Sequence, residues 1–343
     1  MKLSVIIPMY NVELYIARCI TSVLASLNNS SWSYEVICID DGSCDKTLQI
    51  AETCKVEGVK LIKQSNKGVG AARNIGLKVA TGDWLAFVDG DDHVAKKWFP
   101  NAYSIVSENP NADIVHMYPI VSVKDDLSSG GTCSKWQSVL EAQKNSLVPV
   151  RNVKSFEGKG ARMFAHELFA EQGWPVMNFV RRDFIQSSLF PEDLRLKEDV
   201  VFFLDLSTRV NGLVLAEFPG YFYTRREGSA VMRKRSDDDS VNFAKHIVAF
   251  GNKHNTDVIW RSISSTLGYD FIQWADERDP AVTYDPDSCE LRSIWKELES
   301  SGRLDLSVMH WWWRIAIKHW LKTGDLQLAH KIRRIREWLD RLI

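Results

Sequence analysis

The chain of 343 residues holds six cysteines but no C-x-x-C pair and no histidines at zinc-finger spacing, so neither a structural zinc nor a disulfide framework is indicated. Reduced thiols in a cytoplasmic setting fit this usage. No stretch approaches the ~18 apolar residues of a membrane span. The amino-terminal apolar run has one lysine before it and Pro8 within it, too short and wrongly flanked for a signal peptide. Any membrane contact is therefore expected to be peripheral. Net charge is lacking too: 43 Lys and Arg against 44 Asp and Glu leave −1, which removes the electrostatic reason to expect nucleic acid as the main partner. Internal repeats and low-complexity tracts are absent. What is present is ordinary for a globular protein, 45% hydrophobic and 25% charged, and the length suits two or three packed units.

Leu3–Ile7 and Glu35–Ile39 are almost continuously apolar, as strands buried on both faces of a parallel sheet are. After the first, Tyr15, Cys19 or Ile20, Val23 and Leu27 recur at helical spacing; after the second, Ser43 can cap a helix carrying Leu48, Ala51 and Cys54. Val59–Ile62 and Trp84–Val88 give two more strands, separated by a helical segment over Gly68–Ala80. The fold class expected is α/β, a doubly wound, mostly parallel sheet flanked by helices, with ligands bound at the carboxyl ends of the strands. Residues 101–160 have weaker periodicity, with a Ser-Ser-Gly-Gly loop at Ser128–Gly131, and are expected to form a flexible insertion or edge region. Further on, Val176–Val180 reads as a strand, Val200–Thr208 as a helix, and Leu213–Ala216 and Tyr221–Tyr223 as short strands. Arg233–Asp239 reads as a charged linker, and the rest as helical. The expected division is 1–100 for a nucleotide-binding half, 101–232 for an acceptor half and 240–343 for a helical C-terminal domain.

Chemistry gathers at the expected strand ends. The second strand runs into Asp40-Asp41-Gly42-Ser43, ordinary turn residues that also put a carboxylate where a nucleotide base could offer an imide N–H. The fourth ends in Asp89-Gly90-Asp91-Asp92, three carboxylates within four residues. Such crowded anions suit a divalent cation, Mn²⁺ or Mg²⁺, bound jointly with substrate phosphates; a solvated acidic turn is the plain alternative. Between them, Asn66-Lys67-Gly68-Val69-Gly70-Ala71-Ala72-Arg73-Asn74 opens a helix after the third strand. It is a poor dinucleotide fingerprint, because Arg73 stands at the third glycine position and the segment does not follow the first strand. Its direct use would be a close backbone at Gly70, with Lys67 or Arg73 near nucleotide or phosphate.

Four ordered blocks, from Ser4 through Pro8, Tyr10 and Asn11, then Ile39 to Ser43, Asn66 to Gly76, and Thr81 to Asp92, resemble the motif series of family 2 glycosyltransferases, whose fold is GT-A. A further stretch, Asn178 to Phe184 leading to Leu196-Lys197-Glu198-Asp199, is similar to the family's acceptor half with its Glu-Asp motif, so the resemblance covers about residues 3–230. It implies an inverting, metal-dependent enzyme taking a nucleotide-sugar donor, a UDP-sugar by preference, and a saccharide or lipid-linked acceptor. Carried over by position, Pro8, Tyr10 and Glu13 would line the nucleoside pocket and Asp41 would read the base. Asp89 and its neighbour Gly90 would face the ribose or a metal-bound water, and Asp91 would ligate the metal. Asp199 would be the catalytic base, supported by Glu198. Arg226, in the stretch Tyr223 to Ser229, would lie in a basic segment over the diphosphate. Lys96 replaces a proline common after the acidic motif, and no Gln-x-x-Arg-Trp motif of the processive synthases is present, so a distributive enzyme is implied. A sugar nucleotidyltransferase would want a glycine-rich basic loop after the first strand, where Pro8-Met9-Tyr10-Asn11 stands; a non-catalytic scaffold would not need Asp41, Asp91 and Asp199 together.

From His310 to Ile343 there are eight Lys and Arg against three Asp and Glu, with Trp311, Trp312, Trp313, Trp320 and Trp338. A basic aromatic helix of this kind can lie on an anionic bilayer. Ala329, Ile332, Ile335, Leu339 and Leu342 also make a core-facing stripe, and packing or a homodimer contact is the preferred reading.

Overall fold

A computed structural model describes residues 1–124, 150–171, 174–226, 236–278, 289–309 and 311–340. The chain forms two compact units, residues 1–165 with 173–229, and 166–172 with 230–343.

The first unit is built on strands β1 (Lys2–Met9), β2 (Ser33–Asp40), β3 (Val59–Lys63) and β4 (Trp84–Phe87), with helices α1 (Ile16–Leu27), α2 (Thr47–Thr53) and α3 (Val69–Val79) between them. These strands lie in the order β3-β2-β1-β4 and are mutually parallel, as the apolar runs predict. From Leu3 to Met9 every residue of β1 is buried, so the sheet is covered on both faces. The turn after β2 packs tightly: at Gly42, φ is +74° and an added Cβ would meet Asn66 N at 2.8 Å.

Beyond β4 the sheet becomes mixed. After β5 (His93–Val94) and α4 (Trp98–Glu108) come β6 (Ile114–Lys124), β7 (Arg151–Glu157), α5 (Gly158–Glu171), β8 (Asn178–Arg181), α6 (Glu198–Ser207) and β9 (Gly212–Arg225). The order continues β4-β8-β6-β9-β5, with β7 on β9; β8 is antiparallel to β4, and β6 is parallel to β9. Three expectations change here. Residues 114–124 are an interior strand, not an insertion or edge: Ala112 to Met117 are all buried, and the polar Asp113 and His116 among them break the apolar pattern that would have marked the strand. Asp113 is satisfied by the Asn211 and Gly212 N–H groups at 2.7 and 3.0 Å and by Arg181 at 2.8 Å; His116 bonds Asn178 at 2.9 Å. The two short strands expected over 213–223 are one strand of 14 residues, because a register shift opposite Tyr118 and Ile120 absorbs Pro219 and Gly220. Pro175–Met177 form a 3₁₀ turn, leaving β8 to start at Asn178. The Ser128–Gly131 loop lies outside the described residues.

The second unit contains α7 (Asp237–His254), α8 (Asp257–Asp276), α9 (Glu290–Ser300), α10 (Trp311–Thr323) and α11 (Gln327–Asp340). Asp237 to Asp239, read as linker, are the first turn of α7: Ser236 and Asp239 form a reciprocal capping box, and the acidic run sits at the positive helix end. The core gathers Phe271, Trp274, Trp295 and Trp320, whose rings pack on one another, and Trp313 is buried. Two of the tryptophans of the basic aromatic segment therefore serve packing. Among the described residues no helix is long and apolar enough to cross a membrane.

One buried carboxylate ties the first unit's amino edge together. Glu35 on β2 accepts from Ser4 Oγ on β1, from Thr81 N–H and Oγ at 2.7 Å each, and from Lys60 Nζ on β3 at 2.7 Å. Burial alone would raise its pKa, but these donors hold it at about 2. A depressed carboxylate stabilises the fold above its unfolded pKa, and that contribution is lost as pH falls through the folded value. Glu35→Gln should therefore lose roughly 1.5–3 kcal/mol at pH 7, and the gap to wild type should close between pH about 4.5 and about 2. Urea unfolding of both proteins across that range measures it; equal stability at pH 7 would refute the assignment.

Candidate active site

The carboxyl edge of β1, β2 and β4 gathers most of the residues singled out in the sequence. At the end of β1, Asn11 adopts φ of +49°, donates its N–H to Ser43 Oγ at 3.1 Å and accepts from Cys44 N–H at 2.9 Å, locking the β1 and β2 turns together. Buried Asp41 accepts from Gln64 Nε2 at 2.6 Å and from the N–H groups of Lys67 at 2.8 Å and Gly68 at 2.9 Å. A carboxylate has about four acceptor positions, so Asp41 holds the 64–68 loop and keeps room for one more donor. Tyr10 is 42% exposed beside it and Lys67 is exposed, whereas Pro8 is buried. Glu13 accepts from Lys46 N–H at 2.9 Å at the start of α2.

The three carboxylates after β4 have three different surroundings. Asp92 is fully buried and accepts from Tyr221 Oη at 2.7 Å and Thr224 N–H at 2.8 Å, so it anchors β9. Asp91 pairs with Arg226 Nε at 2.7 Å, and its carbonyl accepts from Arg18 Nη2 at 3.0 Å. Asp89 keeps 31% of its side chain exposed; it accepts from Arg73 at 3.0 Å while its N–H donates to Tyr221 Oη at 3.1 Å. Burial, then the neighbouring Asp89 charge, raises the Asp91 pKa against the pull of Arg226; burial and both neighbouring aspartates raise that of Asp92. Gly90 lets this turn lie against β1, since a Cβ there would meet Pro8 O at 3.0 Å.

Across from them, α6 begins with Glu198 and Asp199 after Lys197, which adopts φ of +63°. Glu198 is buried and pairs with Arg73 at 2.5 Å. Asp199 is partly buried, accepts from Val200 N–H at 2.8 Å, and has its pKa pushed up to about 7 by burial and by the Glu198 charge, with Arg73 opposing. Asp89 lies within electrostatic reach of both Asp91 and Asp199. The acidic turn after β4 and the Glu198-Asp199 pair are thus linked through Arg73 and Asp89.

Two sequence expectations shift. Arg73 is buried and committed to Asp89 and Glu198, with its guanidinium 5.4 Å from the Phe190 ring, instead of standing free for phosphate. Gly70 approaches protein, not an open pocket: a Cβ there would meet Pro191 O at 2.8 Å and Glu198 Cγ at 3.5 Å. Arg18, Tyr221, Gln64 and Asn74 carry contacts that the sequence reading did not assign. Of these only Asn74 sat in a quoted motif; the others come from helix, strand and loop positions with no local signature.

Among the described residues no group of three or more His, Cys, Asp or Glu side chains could cage a metal alone. Mg²⁺ and Mn²⁺ do not require one: they bind through one or two carboxylates, with substrate phosphates and waters completing the shell. Asp91 and the half-buried Asp89 fit that partial donor set, each with one carboxylate oxygen paired to an arginine.

Residues 4–171 match the sequence profile of Glycosyl transferase family 2. The chain is 28% identical over 232 residues to the poly(ribitol-phosphate) β-N-acetylglucosaminyltransferase TarS of Staphylococcus aureus, covering 66% of this chain and 36% of that protein. It is 37% identical over 113 residues to a poly(ribitol-phosphate) β-glucosyltransferase of Bacillus spizizenii (32% and 18% covered), and 35% over 141 residues to the uncharacterized glycosyltransferase YibD of Escherichia coli (40% and 38% covered). The chain therefore spans about a third or less of the length of the two polymer-modifying relatives. In three dimensions it superposes on S. aureus TarS 1–349 in complex with UDP-GlcNAc with a TM-score of 0.66 at 20% identity, covering 97% of this chain and 92% of that one, which establishes the GT-A fold. The ordered motifs from Ser4 to Asp92 fall inside the matched segment, and residues 4–171 form a Glycosyl transferase family 2 domain.

Proposed function

We propose that this chain is an inverting, non-processive glycosyltransferase of the cytoplasm that moves a sugar from a nucleoside diphosphate, a UDP-sugar by preference, to a saccharide or lipid-linked acceptor in glycopolymer synthesis. The observation that carries the reading is the convergence of Asp91 and Asp199 on one site through Asp89 and Arg73. A UDP-GlcNAc complex in a fold relative and polymer-modifying names among the sequence relatives favour the same donor and acceptor classes.

The nucleoside would sit between Tyr10 and Asp41, whose remaining acceptor position suits the imide N–H of uracil. Lys67 would face the diphosphate, and Arg226, paired with Asp91, would reach it only by releasing that carboxylate. Asp91, with Asp89, would hold the Mn²⁺ or Mg²⁺ that neutralises charge on the departing diphosphate. Asp199 then takes the proton from the acceptor hydroxyl as that oxygen attacks the anomeric carbon and the bond to the diphosphate breaks, so configuration inverts in one displacement. A base must be unprotonated, and a carboxyl titrating near neutrality is matched to that task. Glu198, held by Arg73, is not free to take the proton itself.

Four outcomes test this. In a thermal-shift screen of UDP-, GDP- and dTDP-sugars, a UDP-sugar with Mn²⁺ or Mg²⁺ should give the largest stabilisation; a response to NTP plus sugar phosphate alone would favour a nucleotidyltransferase instead. Asp91→Asn should weaken metal-dependent UDP binding in calorimetry, and an unchanged isotherm would remove Asp91 from the metal. Asp199→Asn should keep UDP affinity while turnover falls by roughly 10²–10⁴. Because the active form is the carboxylate, wild-type kcat/KM should fall about tenfold per unit as pH drops below about 7. A flat profile from pH 5 to 8 would refute the raised pKa of Asp199.

A further inference from the structure

The segment that carries Asp199 has an unusual path. Strand β8 is antiparallel to β4, pairing Leu85 with Val180 and Trp84 with Arg181, so it leaves the sheet at the amino edge, away from the acidic turn. There Arg182 is pinned, its N–H on Asp83 O at 2.8 Å and its Nε on Gly82 O at 2.6 Å. To place Asp199 at the carboxyl edge, the chain must return the full depth of the sheet. From 186 to 197 it does so without helix or strand. Such a segment has no ladder of its own to fix its end.

Ser188 ties the start of the segment to Asp205 and Arg209, and helix α3 supports the rest. It starts at the carboxyl edge and runs back beneath the returning segment, and Gly70, Arg73 and Asn74, at i, i+3 and i+4, lie on one face of it. Asn74 makes a two-point amide pair with the backbone of Phe190, Nδ2 to Phe190 O at 2.9 Å and Phe190 N–H to Oδ1 at 2.9 Å, and Nδ2 also reaches Glu192 at 3.0 Å. Gly70 lets Pro191 and Glu198 close on the helix. Arg73 closes the clamp by pairing with Glu198, stacking on Phe190 and reaching Asp89 on the donor side. Phe190 in turn stacks on Phe202 of α6, with ring centroids 4.0 Å apart.

We infer that Gly70, Arg73 and Asn74 form an internal clamp that holds the 190–199 segment, and that Arg73 is a positioning residue which locks the acceptor-side base to the donor-side acidic turn instead of binding donor phosphate. This inference rests on the reading of Asp199 as the base. The planar guanidinium is suited to the task, since it can donate to two carboxylates in two directions at once, whereas a single ammonium cannot keep both geometries.

Arg73→Lys, which keeps the buried positive charge, and Asn74→Ala, which leaves every charge in place, are the two variants to compare with wild type. Both should bind UDP with Mn²⁺ within about twofold of wild type, while kcat for the donor chosen by the thermal-shift screen falls about 10- to 100-fold. Hydrogen exchange should rise at least about tenfold across 186–199 and stay unchanged in β1 and β2. Combining Arg73→Lys with Glu198→Gln should lower kcat no further than the worse single change, because both break one contact. Loss of UDP affinity in step with kcat would make Arg73 a donor ligand and overturn the inference, as would wild-type kcat or unchanged exchange in both variants. If Asp199→Asn were itself fully active, the base assignment would fall first; a normal Arg73→Lys beside a dead Asp199→Asn would sink the clamp alone.

Discussion

The site depends on how five carboxylates, Asp89, Asp91, Asp92, Glu198 and Asp199, are kept at one edge of a sheet with few cations to hold them. An ionised carboxylate taken out of water costs several kcal/mol unless it is paired and hydrogen-bonded. Arg73 is shared by Asp89 and Glu198, Arg226 serves Asp91, and Tyr221 with the Thr224 N–H serves Asp92. Burial works against the charge of Arg73, yet its two carboxylate partners raise its pKa above the usual value, so it remains a fixed cation. Asp199 accepts from the Val200 N–H and feels the field of Arg73, while burial and the Glu198 charge push its pKa up to about 7. Burial raises Asp91, Asp92 and Glu198 as well, so counter-charge is scarce across the whole cluster.

The same accounting separates residues that look equivalent in the sequence. Asp89, Asp91 and Asp92 are adjacent in one acidic turn, but only Asp89 and Asp91 can reach a ligand. The hydrogen bonds of Asp92 point into β9, and its fixed carboxylate places Tyr221, whose hydroxyl receives the Asp89 N–H. Asp92 thus shapes the turn from below, while its neighbours pair with Arg73 and Arg226. Asp41 does both kinds of work, ordering the 64–68 loop with three bonds and keeping one acceptor position open.

Much of the donor half was legible because its signals are local. Buried parallel strands write continuous apolar runs, and turns at their carboxyl ends must carry the polar groups that meet a ligand, so β1 to β4 and Asp41, Asp89 and Asp91 stood out together. The acceptor half was less legible. β6 is interior yet carries His116 and follows directly on Asp113, which broke its pattern, and β9 runs through Pro219 and Gly220, which read as a break. Arg73 and Gly70 were noticed, but glycine and arginine at a helix start serve an anion or another chain segment equally well. Only the packing of residues 190–198 against them decides between the two.

That packing answers a topological problem. Parallel strands bring Asp41 and Asp89 to the ligand edge automatically, since each strand ends there. An antiparallel β8 delivers the chain to the opposite edge, so Asp199 cannot sit at a strand end and follows a returning segment without regular structure. Positioning within a fraction of an ångström then has to come from side chains on a neighbouring rigid element. Helix α3 is that element: it joins β3 to β4, so the helix that leads the chain into the acidic turn also fixes the start of α6. The acidic turn and the start of α6 are thereby referred to one helix.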